Sequence, residues 1–421
     1  MPLIQPFKAW RYHEKHAGQI DQLTSPLFDV VSEAQRKKLY ANPLNSIHIS
    51  VPQGVEPDKA ARRVLQQWIR EGDIVQDRKD AIYVYYQYFY LPNDPKRYCR
   101  KGFICMAHLA AGENDILIHE NVMPHAVNDR VSLLRETAFN VSPTHGLYSD
   151  MAFELEPYMD QAIRTPLYKT EDYQGVQDVL GIIEDPEVIK QFVRKMRGQR
   201  LILADGHHRY AGSLAYQKER IKSNPHHTGK EPYNYHLIYL TNTEAKDLRI
   251  LPTHRLLKGW PEFHPEVFLE CLQQYFKVKE VDTPLQLNEL ISGKPWHFGL
   301  LLKDRAFYMS LKPECFEQLS WHFPDQVKAM DLTVLHFFVF EKCLGIKGKY
   351  QTQSQNIFFE RNYTECALAV VQGNAQAAFI TNEISIEQVK DICYSGYTMP
   401  QKSTYFYPKV ICGFLFADVK D

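Results

Sequence analysis

Residues 201–210 read LILADGHHRY, and AGSLAYQKER follows. A short apolar run ends in Asp205 and Gly206, then His207, His208 and Arg209 open a helix-like segment. The pattern predicts a strand handing over to a helix, with polar residues crowded at the junction. Such junctions bind anions in α/β proteins. The first helical N–H groups lack an intrahelical acceptor, and the macrodipole favours negative charge. Gly206 lets a ligand approach the backbone closely. Asp205 can cap the helix, hold a metal ion or take the proton of a substrate hydroxyl. Arg209 can clamp a phosphate through two hydrogen bonds. Successive helical residues splay about 100° apart. His207, His208 and Arg209 therefore cannot face one atom, but they could grip different oxygens of a phosphate chain. The plain alternative is a capped helix with two surface histidines.

Working outward, residues 57–71 place Ala61, Val64, Leu65 and Trp68 on one helical stripe. Residues 127–138 and 186–197 read as further helices. AIYVYYQYFYL at 81–91, GFICMAHLA, DILIHEN and YHLIYLT at 235–241 read as strands. Beyond 260, helical segments (VFLECLQQYF, DLTVLHFFVFEKCL, ISIEQVKDICYSG) mix with strands (WHFGLLL, AFYMSL, NIFFE, AQAAFIT), and the tail STYFYPKVICGFLFA reads as strand. No clean βαβ repetition emerges, so the expected class is α+β, a mixed α/β arrangement. The expected division is 1–260 and 261–421.

Other polar segments sit at apparent strand ends. His119 and Glu120 follow DILI, and Glu120 could act as a base or a magnesium ligand. Arg130 and Arg135 lie on the next helix and could reach Glu120 or a phosphate, with Asp129 and Glu136 as ordinary surface partners. Thr253, His254 and Arg255 follow RILP. Residues 396–403, GYTMPQKS, come close to a phosphate loop, but Gln401 replaces the second glycine and the helix precedes rather than follows. A Walker-type loop is rejected. Lys402, Ser403 and Thr404 could still donate to phosphate.

The 421 residues carry a formal charge of −1, 44% hydrophobic and 24% charged residues. This is an ordinary soluble composition, without a general electrostatic grip on nucleic acid or anionic membrane. Eight scattered cysteines without a C-x-x-C pair argue for a reducing compartment and against zinc. No apolar h-region opens the sequence and no membrane-length apolar run follows, so a cytoplasmic location is expected. Nothing in the sequence sets an oligomeric state. No G-x-S-x-G or G-x-G-x-x-G pattern occurs.

PFKAW at 6–10, SPLFDVVS at 25–32, NPLNSIHI at 42–49, IHEN at 118–121, LLRETAFNVSPTHGLY at 133–148, LADGHHRYAGSLAY at 203–216, LPTHRLL at 251–257 and MPQKSTYFYPK at 399–409 together resemble the "domain of unknown function 1015" family. One departure is SPLFDVV, where the family pattern implies a proline pair and a tyrosine before Asp29. The D-G-H-H-R box also resembles the second box of the ParB/sulfiredoxin-like fold, which cradles nucleotide phosphates. An archaeal ADP-dependent free-serine kinase carries a similar box. Sulfiredoxin's reactive cysteine is replaced here by His207, so that redox chemistry is not implied. The resemblance implies a ParB/sulfiredoxin-like core with large insertions in 1–260, and a C-terminal α/β region contributing Lys402, Ser403 and Thr404.

The expected activity is phosphotransfer to or from a small hydroxyl metabolite, serine or phosphoserine first, using a nucleotide such as ADP or ATP, or pyrophosphate. Asp205, Glu120, His207 and His208 are the catalytic candidates, with magnesium on Asp205 and Glu120. Gly206, Arg209, His254, Arg255, Lys402, Ser403 and Thr404 are the phosphate-binding candidates, and Asp29, His119 and Arg135 are further ones. The alternative is a non-catalytic, nucleotide-binding regulator of ParB-like type.

Overall fold

The computed structural model describes residues 4–27, 33–92, 94–109, 115–400 and 402–420. Asp29 lies outside them. The chain divides into two units. One holds Met1–Ile118, Val122–Arg249 and Pro408–Asp421, and the other holds His119–Asn121 and Ile250–Tyr407. A single cut near 260 therefore becomes a cut between 249 and 250, and the last segment returns to the first unit. The KST segment stays in the second.

The first unit is built on a nine-stranded sheet. Its strands are β1 (Ile4–Gln5), β2 (Ile82–Leu91), β3 (Asp94–His108), β4 (Ile116–Leu117), β5 (Thr144–Tyr148), β6 (Tyr168–Glu171), β7 (Gln177–Ile183), β8 (Leu201–Asp205) and β9 (Tyr235–Asn242). Their order is β4-β8-β5-β9-β3-β2-β7-β6, with β1 paired to β3. The pairs β4–β8 and β5–β9 are parallel, and the other described pairs are antiparallel.

Both sheet faces are covered, which is why β2 reads as an apolar run, interrupted at Gln87, rather than an alternation. Tyr83, Tyr85, Ile104, Leu237 and Tyr239 face helix α1 (Pro57–Glu71), with its Ala61, Leu65 and Trp68. Leu133 and Leu134 of helix α2 (Pro124–Thr137) join that layer. Val84, Tyr86, Phe103, Ile238 and Leu240 face helix α3 (Pro186–Met196), through Ile189, Phe192 and Met196. Helix α1 starts with a proline, whose missing N–H costs nothing there, and ends at Gly72 with φ 68°. The opening motif forms as expected: β8 ends at Asp205, and helix α4 runs His207–Ser223.

The tail is not the continuous strand that its composition suggested. Only Tyr405–Tyr407 and Ala417–Asp418 are strand. Pro408 and Gly413 (φ 108°) interrupt it. Val410, Phe414, Leu415 and Phe416 instead pack on the α1 face of the sheet.

The second unit holds a six-stranded sheet of β10 (His254–Leu257), β11 (Phe276–Val281), β12 (His297–Leu301), β13 (Ala306–Leu311), β14 (Ile357–Glu360) and β15 (Ala377–Ile380). Its order is β11-β13-β12-β15-β10-β14, all antiparallel. RIL is a strand, as expected (Arg249–Leu251), but past Pro252 His254 and Arg255 begin a buried inner strand. Helix α5 (Pro265–Tyr275) brings Phe268 edge-on to Phe379. The segment 331–344, expected as one helix, splits at His336: Asp331–Leu335 is α-helical and His336–Cys343 is π-helical. Such widened turns are often found at functional sites. With helices and largely antiparallel sheets in both units, the class is α+β.

Candidate functional site

In the first unit a carboxylate sits between two cations. Arg209 Nη2 donates to Asp205 Oδ2 at 2.9 Å, and Lys409 Nζ binds Asp205 Oδ1. The side chains of Arg209 and Lys409 are each 10% exposed, and that of Asp205 is 16% exposed. Burial pushes the Asp205 carboxyl up, but Lys409 and Arg209 outweigh it and hold it well below the usual carboxylate range. Arg209 is fixed further by Nη1 donating to Ser142 Oγ at 3.1 Å and to the Pro143 carbonyl at 2.6 Å. Its planar fork therefore already has an orientation.

Gly206 makes the junction possible. Its φ is 90°, and an added Cβ would lie 2.6 Å from Thr144 Cγ2 and 2.9 Å from Arg209 Nη2. It supplies no side chain to cap α4. The site therefore joins a helix N-terminus, two cations and one carboxylate.

The two histidines around this cluster carry no charge near neutrality. His145 pairs across the sheet with Asp205, and its Nε2 meets Thr241 Oγ1 at 2.8 Å. Burial and then Arg100 drive it well below its ordinary value. His236 bridges Thr144 Oγ1 (3.0 Å) and Ser213 Oγ (2.8 Å). Burial and Arg209 lower it to about 3. With these two neutral, the charge of the cluster is set by Asp205, Arg209 and Lys409, with a lesser pull on Asp205 from His207.

A polar row continues across the sheet from this cluster. Arg100 on β3, Gln87 on β2 and Asp178 on β7 are register neighbours. All three are nearly inaccessible. Arg100 Nη2 donates to Gln87 Oε1 and to the Pro408 carbonyl. Gln87 Nε2 donates to Asp178 Oδ1 at 2.8 Å and to the Lys409 carbonyl at 3.0 Å. Gly102 keeps this face open, because a Cβ there would lie 2.3 Å from the Leu240 carbonyl and 2.6 Å from the Tyr239 ring. The tail at 408–409 is thus held by side chains of the row rather than by a neighbouring strand.

The family described as "Protein of unknown function (DUF1015)" matches residues 4–333. The chain belongs to this family. No curated protein matches it. Among solved structures, a conserved hypothetical protein from Pyrococcus furiosus is 13% identical, with 75% of this chain and 95% of that chain covered and a TM-score of 0.36. A free serine kinase in complex with AMP is 12% identical, with 75% and 91% covered and a TM-score of 0.38. C-terminally truncated SbnI from Staphylococcus aureus is 14% identical, with 73% and 85% covered and a TM-score of 0.35. The DUF1015 match ends before the MPQKSTYFYPK block, so Lys409 lies beyond it.

His207, buried at the start of α4, helps to lower the Asp205 carboxyl. Not every expected residue joins the Asp205 cluster. His208 Nε2 accepts the Met123 N–H at 3.1 Å, beside the start of α2. Arg135 pairs with Glu219 at 2.6 Å, both well exposed, and not with Glu120, Glu136 or Asp129. Removing Arg135 is expected to cost less than about 1 kcal/mol and to leave phosphate binding unchanged. Chemical denaturation and ligand titration of Arg135→Ala check both.

His119, Glu120, His254, Arg255, Lys402, Ser403 and Thr404 belong to the second unit. His119 Nε2 meets Thr404 Oγ1 at 2.9 Å, and Glu120 bridges to Met399. Arg255 is fully buried and donates to His336 Nε2 at 3.2 Å and to the Thr253 carbonyl. Burial lowers it to about 9, against the pull of Glu120. His254 Nδ1 accepts the Thr381 N–H at 3.2 Å, and burial and Arg255 lower it to about 4. Ser403 Oγ donates to the Pro400 carbonyl at 2.5 Å. Lys402 adopts φ 54°. His254 and Ser403 are therefore committed to backbone partners.

The proposed magnesium pair, Asp205 and Glu120, falls in different units. No group of three His, Cys, Asp or Glu side chains able to hold a metal occurs among the described residues. Both Asp205 oxygens already hold a cation. A resident divalent ion does not fit that donor set. No helix among the described residues is long and apolar enough to cross a membrane, and the eight cysteines are free thiols.

Proposed function

We propose that this protein is a cytoplasmic phosphotransfer enzyme acting on a small hydroxyl metabolite, with serine or phosphoserine the first to test, and using a nucleotide or pyrophosphate. The observation that carries this reading is the Asp205 carboxylate balanced by Arg209 and Lys409 at the open end of α4. Phosphoryl transfer needs positioning and charge neutralisation more than covalent chemistry. An incoming phosphate competes with Asp205 for both cations. Arg209 keeps its orientation through Ser142 and Pro143 while its Nη2 turns to a phosphoryl oxygen.

Once its cations are shared, burial raises the Asp205 carboxyl toward a useful base. It then accepts the hydroxyl proton as the hydroxyl oxygen attacks phosphorus and the bond to the leaving phosphate oxygen breaks. The substrate thereby switches on its own base. Gly206 allows the phosphate to approach the backbone. The ParB/sulfiredoxin-like character of the core belongs to this proposal. Roles for Glu120, His207, His208, Lys402 and Thr404 in the same reaction rest on their residue chemistry alone.

The test is a thermal-shift screen of ADP, ATP, CTP, pyrophosphate and phosphoserine, with and without magnesium, followed by a turnover assay of each binder with serine. A ligand at 100 times its dissociation constant stabilises by about 2.7 kcal/mol, which moves the melting temperature visibly. No shift from any phosphate compound overturns the reading. A shift without turnover turns it into the nucleotide-binding regulator of ParB-like type.

A further inference from the structure

The second unit contains a cavity of about 620 Å³, within the range of small-molecule sites. Trp321, Phe323 and Phe359 line it, with His336 of the π-helix among the wall residues and Lys347 and Lys349 also on its lining. One wall is held in advance. Glu341 Oε2 accepts both the Trp321 indole N–H at 3.0 Å and the Gly348 N–H at 2.6 Å. The backbone at Gly348 lies against the indole so closely that a Cβ there would come within 2.6 Å of the ring. Trp321 also packs edge-on against Phe337 at 5.5 Å between centroids. Its ring is therefore fixed before any ligand arrives, as a good binding surface requires.

We propose that this cavity binds a nucleoside monophosphate, independently of the chemistry at Asp205. The chemical class follows from the lining. Fixed aromatic faces stack a planar heterocycle and tolerate many bases. Lys347 and Lys349 flank Gly348 and are both exposed, so two ammonium groups can meet one phosphate dianion beside the stacking surface. Glu341 offsets only one of the two positive charges, and its Oε2 is turned to the Trp321 and Gly348 N–H groups. His336 adds no competing charge: burial and Arg255 lower it to about 3. A nucleoside alone would use the rings but not the lysines, and inorganic phosphate would use the lysines but not the rings.

The test is photolabelling of the full chain with 8-azidoadenosine monophosphate, mapped by peptide mass spectrometry. Label is expected on peptides containing Trp321 or Phe359, and AMP should protect them at concentrations at least tenfold below those needed of adenosine or inorganic phosphate. Trp321 is packed too tightly for its loss to be read cleanly. The exposed pair is better: Lys347→Glu with Lys349→Glu should lower labelling at least tenfold while leaving the melting temperature unchanged. Asp205→Asn should label like the wild type. Absence of AMP-protected label on these peptides overturns the proposal. So does equal protection by adenosine, or label that survives the double reversal. Loss of label in Asp205→Asn also overturns it and leaves the phosphotransfer reading standing.

Discussion

Asp205→Asn is expected to lower turnover by roughly 10²–10⁴-fold, the span typical for removal of a general base, and also to destabilise the fold. The second effect comes from the surroundings. A reading of the motif alone gives an aspartate whose removal leaves folding intact. In the structure Asp205 is the counter-charge of Arg209 and Lys409, each 10% exposed. Deleting one member of a buried charge set leaves the others unpaired, at a cost of about 3 kcal/mol or more. The two effects separate in the double variant Asp205→Asn with Lys409→Met. Removing the surplus cation should recover most of the lost stability while turnover stays absent.

The pH dependence has a definite sign. The Asp205 carboxyl is held below its unfolded value, so its contribution to stability is present above about pH 4. That contribution is lost as pH falls through the folded value in strong acid. The gap between wild type and Asp205→Asn should therefore be constant from pH 6 to 8 and close only toward acid. Turnover within threefold of wild type would remove Asp205 from the mechanism. An unchanged denaturation midpoint would remove the charge balance.

What the sequence made visible was local. The β8–α4 junction was legible because an apolar run, a glycine and a polar cluster follow one another within ten residues. Helix α1 was legible because its stripe and its proline and glycine ends lie in one stretch. Lys409 was not legible as the partner of Asp205, although it closes the MPQKSTYFYPK block, because nothing local ties it to position 205. Lys402 drew attention instead because it imitated a phosphate loop. The tail misled for a related reason. Its aromatic and β-branched residues have strand propensity, yet its backbone at 408–409 is bound by Arg100 and Gln87 side chains, and propensity says nothing about such partners. Gln87 was hidden inside a tyrosine-rich run, Arg100 in the basic stretch KRYCRK and Asp178 in GVQDVLG. A polar residue within a strand-like run is the one signal that could have found them, since an arginine in an inner strand must be paired or costly.

Asp178→Asn should stabilise the protein above neutral pH. Asp178 is fully buried. Its Oδ1 accepts from the Tyr85 hydroxyl at 2.5 Å and from Gln87, while its Oδ2 has no hydrogen-bond partner among the described residues. Burial lifts it from 3.8 to about 7, against the pull of Tyr85, Gln87 and Arg100 and with a small push from Asp172. A raised carboxyl binds a proton in the folded state that the unfolded chain releases. The Asp178 contribution to stability is therefore most favourable below about pH 4, declines as pH rises toward 7, and carries the full penalty, on the order of 4 kcal/mol, above that. Asparagine matches the neutral acid in shape and never ionises. Asp178→Asn should match wild type near pH 4 and exceed it progressively up to pH 8, in denaturant titrations at each pH. A gain that is larger at pH 5 than at pH 8 would refute the assignment. The effect reaches the proposed site because Gln87 holds both Asp178 and the Lys409 carbonyl. An ionised Asp178 strengthens its claim on Gln87 and on Arg100, which holds the Pro408 carbonyl, so the segment carrying Lys409 is held less firmly when Asp178 is charged. The affinity for phosphate ligands should accordingly vary with pH through 7 differently in the wild type and in Asp178→Asn, where only the ligand's own ionisation remains.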